Sequence, residues 1–202
     1  MALTAPLPLP APPAHRRGTS MTGAILAIAA GAMLMAGLLA SYFAARNAVL
    51  NGKGTWGLPR GTMPNSALAV TYGALFLSSF TAQWAVSAIK DGERRQVYVA
   101  VGTTILLGVA FVNGLTFSYT QLGLVAGKSA YADYVYAVSG THLALVLAGL
   151  LVMVITGFRV LGGQPGPNNR ELVASSVALW HFVVFAGVVV WWCLFFLTGG
   201  PG

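Results

Sequence analysis

All fifteen formal charges, eleven on Lys and Arg and four on Asp and Glu, fall outside five apolar stretches: residues 18–45, 61–89, 96–127, 134–158 and 172–202. A helix needs roughly 20 residues to cross about 30 Å of hydrocarbon, and every stretch exceeds that length. None of the stretches is short enough to be a soluble core helix. The expected fold is an all-α integral membrane protein, a bundle of five transmembrane helices. The spans are placed at about 21–46, 66–89, 97–125, 134–158 and 172–197.

Hydrophobic residues form 56% of the chain and charged residues 7%, which excludes both a soluble domain with one buried core and a disordered chain. The net charge of +7 is then read as topology and anionic headgroups, with no nucleic acid partner. A cytoplasmic N-terminus puts Arg16, Arg17, Lys90, Arg94, Arg95, Arg159 and Arg170 inside, against Arg46, Lys53, Arg60 and Lys128 outside. Seven cations against four favour N-in and C-out. Residues 1–17, with Pro6, Pro8, Pro10, Pro12 and Pro13, read as a flexible Pro-rich cytoplasmic tail, leaving 18–202 as one transmembrane domain. The apolar run after Arg17 is about twice the length of a signal-peptide core, so the first span is expected to be retained. Cys193, the one cysteine, excludes an intrachain disulfide and reads as a packed thiol.

No proline interrupts the core of a span and five spans do not divide into equal inverted halves, which argues against a transporter built on broken helices. Small residues recur as Gly37 with Ser41, Ala144 with Ala148, and Gly102, Gly108 and Gly114. Such positions let helix backbones approach closely. Ser78, Ser79, Thr81 and Gln83 in span two, with Asn113, Thr116 and Ser118 in span three, are candidates for bonds between helices. Trp191 and Trp192 suit the outer interface. His142 lies roughly 12 Å inside the outer end of span four and His181 roughly 14 Å inside the inner end of span five, so both sit near the midplane. Two imidazoles at one level fit the axial ligation of a b-type haem in a small electron carrier, or neutral rings hydrogen-bonded across the bundle. A proton relay lacks an acid in any span to continue it. By itself this pattern describes a non-catalytic membrane subunit.

Four segments in order resemble subunit III of the haem-copper oxidases, the cytochrome c oxidase type, in its short five-helix bacterial form. AGLLASYFAAR, with Gly37, Tyr42 and Arg46, is similar to the family's Ala-Gly-Leu-Phe-Ala-x-Tyr-Phe-x-x-Arg. SSFTAQWAVSAIKDGERR, with Ser78, Ser79 and Thr81, resembles its Ser-Ser-x-Thr segment and basic turn. Tyr136, Gly140, His142 and Gly149 stand at the spacing of Gly-x-His-x-x-His-Val-x-x-Gly, and Trp180, His181, Phe182 and Val183 match Trp-His-Phe-Val-Asp. The departures are as informative. Gly31 and Ser118 stand where the family keeps intramembrane Glu, Leu145 replaces the second His, and Val184 replaces the Asp.

The resemblance implies a bacterial inner-membrane, multi-pass subunit of a respiratory complex for aerobic electron transport. It implies no catalytic residue, cofactor or metal ligand on this chain, haem and copper on the partner catalytic subunit, subunit I, and phospholipid bound between helices. The motif residues then serve structure and packing. Short members also accompany nitric oxide reductases, which leaves that parent enzyme as an alternative. Loss of the buried acids argues against a share in proton handling and predicts that carbodiimide leaves the spans unlabelled.

Overall fold

The computed structural model describes residues 18–58 and 65–197. Five α-helices follow one another: α1 Thr19–Asn51, α2 Asn65–Lys90, α3 Arg94–Leu122, α4 Ala130–Leu161 and α5 Glu171–Trp191, the last continued by a π-helical turn, Trp192–Phe196. The Pro-rich segment 1–17 and Arg60 lie outside the described residues. Four helices, α1, α3, α4 and α5 with its π-turn, are long and apolar enough to cross a membrane. The chain is an integral membrane protein. In α2, 26 residues long, Ser78, Ser79, Thr81 and Gln83 dilute the apolar character.

Local chemistry moves the helix ends away from the charge boundaries. Gly123 adopts φ 61°, a left-handed cap that stops α3 three residues short of Val125. Ser129 accepts the N–H of Ala132 at 3.1 Å and Asp133 sits in the first turn, so α4 begins four residues before Tyr134. Past Arg46, α1 continues to Asn51. At the other face Gly92, φ 75°, makes the turn between α2 and α3, and Arg94 donates to the Gly163 carbonyl at 2.9 Å, pinning the start of α3 to the end of α4.

Helix α5 is central and packs on α1, α2 and α4, while α2 pairs most extensively with α3 and α3 leans on α4. Trp180 fills the middle of the bundle and is fully buried. Its ring needs bare backbone beside it: a Cβ on Gly108 would stand 2.8 Å from the ring and 2.6 Å from Leu150, and one on Gly149 3.1 Å from the ring. Gly187 likewise leaves room for His142, which a Cβ there would approach to 2.9 Å. Small residues thus permit close approach, but several of those singled out by spacing do not serve it. Gly37, Ser41, Ala144, Ala148 and Gly102 are exposed, and a Cβ on Gly37 or Gly102 would meet nothing within 4 Å. Lipid tolerates small outward residues as readily as a helix interface requires inward ones.

Helix α1 is the least embedded element, with only Gly31, Met35 and Tyr42 buried among its 33 residues. Its start is tied by Glu171, whose carboxylate accepts the N–H groups of Gly18 at 2.7 Å and Met21 at 3.1 Å.

Candidate functional site

The polar side chains inside the bundle form three groups. At the centre, the Trp180 indole N–H donates to Ser78 Oγ at 2.9 Å, and Ser78 in turn donates to the Leu75 carbonyl at 2.5 Å. Thr81 and Thr104 share a hydroxyl hydrogen bond at 2.8 Å that joins α2 to α3. Thr156 and Ser176 do the same between α4 and α5 at 2.7 Å. Each pair satisfies groups that hydrocarbon would leave without partners.

A second group gathers at the C-terminal end of α5. Trp56 donates to Tyr42 Oη at 3.1 Å, Tyr42 donates to the Cys193 carbonyl at 3.2 Å, and Tyr131 donates to the Leu194 carbonyl at 3.1 Å. Ser41 bonds Tyr134 at 2.8 Å. The π-turn explains why the Cys193 carbonyl is open to Tyr42. An α-helix would aim the Leu197 N–H at Cys193, but here it reaches back to Trp192 at 3.0 Å, leaving the Cys193 oxygen to Tyr42. Nearby, Tyr136 donates to Leu124 at 2.8 Å and Tyr119 to Ser139 at 2.5 Å, while Ser139 bonds the Val135 carbonyl of its own helix. Arg46 follows Tyr42 by one turn, and Gly140 has open space where a Cβ would be.

The histidines form the third group, and the structure separates them. His142 is fully buried, its Nε2–H donating to the Val183 carbonyl at 3.0 Å and its ring edge-on to Phe111 at 5.7 Å. His181 faces α2, between Ser79 Oγ at 2.5 Å from Nδ1 and Gln83 Oε1 at 3.1 Å from Nε2. His142 rests on Gly187, six positions on from His181 and about 120° around the helix, so the two rings meet different sides of α5. They cannot ligate one haem between them. Among the described residues no three of His, Cys, Asp and Glu come together.

The positions that depart from the resembled motifs are filled rather than vacant. A Cβ on Gly31 would stand 2.8 Å from the Phe182 ring and 3.8 Å from Leu145, so Phe182 occupies the space an acid at 31 would need. Ser118 is buried and returns its hydroxyl to the Gly114 carbonyl at 2.8 Å; Val184 is buried in the core. Asn113 and Thr116 differ from the expectation of bonds between helices. Asn113 is exposed, and the Thr116 hydroxyl bonds the Val112 carbonyl one turn back at 2.9 Å. The tyrosine contacts to the α5 terminus had no sequence signal beyond the aromatic residues themselves.

Fold and contacts define an integral membrane protein in which several inward polar groups join helix to helix. Residues 13–198 match the family model described as cytochrome c oxidase subunit III, and the chain belongs to that family. It is 34% identical over 185 residues to cytochrome c oxidase subunit 3 of Corynebacterium diphtheriae, covering 90% of this chain and 87% of that protein. A probable cytochrome c oxidase subunit 3 of Nocardia farcinica is 32% identical over 189 residues, with 90% and 87% covered. Its counterpart in Mycobacterium tuberculosis is 31% identical over 192 residues, with 91% and 90% covered.

Proposed function

We propose that this chain is the non-catalytic subunit III of a respiratory haem-copper oxidase, packing against the catalytic subunit I and stabilising the complex. The observation that carries the reading is the family match across residues 13–198, on a bundle tied by hydrogen bonds such as Trp180 to Ser78 and Thr156 to Ser176. Haem and copper belong on the catalytic subunit. Phospholipid occupies grooves such as the apolar one of about 320 Å³ between α3 and α4, lined by Val97, Val101, Gly102 and Gly157.

In this reading all five helices span a bacterial inner membrane, with the N-terminus cytoplasmic and 18–202 as a single domain. At 26 residues α2 is about 39 Å long, ample to cross, and its polar residues are bonded to α3 and α5. The test is to tag the C-terminus, solubilise membranes in mild detergent and identify the co-purifying chains by mass spectrometry. A stoichiometric haem-copper catalytic subunit is expected. Deleting the chain is expected to leave the haem spectrum of that partner intact while lowering the stability of the complex; a haem band lost with this polypeptide itself overturns the reading.

A further inference from the structure

Helices α1 and α2 both pack on α5 but make no extensive contact with each other, so a strip of α5 lies open between them. Its residues are His181, Phe185, Val188, Trp192 and Phe196. The spacing of four, three, four and four puts them on one side of the helix. Its four apolar members are exposed from 37% at Val188 to 68% at Phe185, His181 is half-buried, and the Trp192 and Phe196 rings stack at 4.1 Å. On the α2 side the strip is bordered by Phe76 and Phe80, both more than half exposed, and by Gln83.

The polar members of this face are its distinctive feature. Ser79 donates to His181 Nδ1, and His181 Nε2–H donates to Gln83 Oε1. That leaves the Gln83 amide N–H groups outward, with no acceptor among the described residues. Counting from Lys90 and Glu171, Gln83 lies about 10 Å and His181 about 15 Å inside the bundle. Acyl chains offer no acceptor at that depth, and an exposed carboxamide there is costly. Other outward polar groups avoid the cost: the hydroxyls of Thr103, Thr116 and Thr120 bond carbonyls of their own helix at 2.7 to 2.9 Å. Asn113 is the exception on a different side, isolated among exposed Leu106, Val109 and Phe117. The α2–α5 face differs in joining a three-residue polar chain to five exposed aromatic rings, the composition of protein interfaces.

Resting on the reading of this chain as an oxidase subunit, we infer that the α2–α5 face seats a transmembrane helix of another oxidase subunit. That helix presents a hydrogen-bond acceptor to the Gln83 amide. Phe185, Trp192 and Phe196 pack along it toward the outer interface.

The experiment places the photoreactive amino acid p-benzoylphenylalanine at position 185 or, as the rival, at 117 beside Asn113. Native membranes are irradiated, and a C-terminal tag recovers the products for mass spectrometry. Cross-links from position 185 to an identified oxidase subunit, with position 117 marking lipid, are expected. Cross-links from 117 alone, or only lipid adducts from 185 while oxidase subunits still co-purify, overturn the face and leave the proposed function standing. Recovery of the chain without any oxidase subunit overturns both. In parallel, Gln83→Leu is expected to reduce retention of the partner in detergent roughly threefold or more, the scale of one interhelical hydrogen bond in lipid, with Asn113→Leu unchanged. The reverse order of effects overturns the assignment.

Discussion

Helices α1 and α5 are both long and apolar, yet 11% of the most apolar window of α1 is buried in the bundle against 50% for α5. One is a peripheral strut and the other an axle. The contrast shows that hydrophobicity in a membrane protein sets whether a segment inserts, while side-chain volume and hydrogen bonding set where it stands. Helix α5 is held along its length, by Trp180 on Gly108 and Gly149 and by the Thr156 and Ser176 pair. Helix α1 is held at a few points: Gly31 under Phe182, Tyr42 on the end of α5, and Gly18 and Met21 on Glu171.

The largest break of this contrast comes from α5. Trp180→Ala empties the centre of the bundle and is expected to lower unfolding free energy by about 3–5 kcal/mol, read by denaturant titration in micelles. A loss below about 1 kcal/mol would mean that the centre collapses to fill the gap. Next, Gly31→Glu forces a side chain into Phe182 and is expected to cost about 1–3 kcal/mol, confined to α1. Accessibility of single cysteines should rise on α1 and stay constant on α3 and α4. Carbodiimide adds a second reading of the same variant: the five native apolar stretches, which contain no Asp or Glu, stay unlabelled, while a carboxyl at 31 reacts.

Smaller effects sharpen the comparison. Tyr42→Phe removes the bond from α1 to the Cys193 carbonyl and is expected to cost about 1 kcal/mol in the same titration. Glu171→Gln should be the weakest, speeding hydrogen exchange at the amides of Gly18 and Met21 with the melting of α2 to α5 unchanged. Equal losses from Tyr42→Phe and Trp180→Ala would erase the distinction between strut and axle.

The existence and order of the helices were readable because charge is expensive in lipid, and all fifteen charges mark what must stay near water. Ends were less readable, since Gly123 and Ser129 stop and start helices inside or beyond the apolar runs by backbone geometry and capping. Facing was hardest. In water, a polar stripe tells the outside of a helix from its inside; here Phe185 is exposed and Phe111 buried with the same chemistry on each. Gly37 and Gly149 likewise look alike in sequence, yet one faces outward and the other lies under Trp180. The two histidines shared a depth, which spacing gives, but not a side of α5, which depends on what packs around it.

The π-turn carries a consequence for chain length. Tyr42 and Tyr131, from two different helices, meet consecutive carbonyls at the tip of α5, and the Cys193 carbonyl is open to Tyr42 because that turn holds one residue more than an α-helical turn. Remove a residue between 192 and 196 and the tip rewinds, drawing its carbonyls back to its own chain. Insert one and Cys193 and Leu194 rotate past both hydroxyls. The C-terminal end of this helix is gauged to a single residue, so its tolerance is for exchange of side chains and not for change of count.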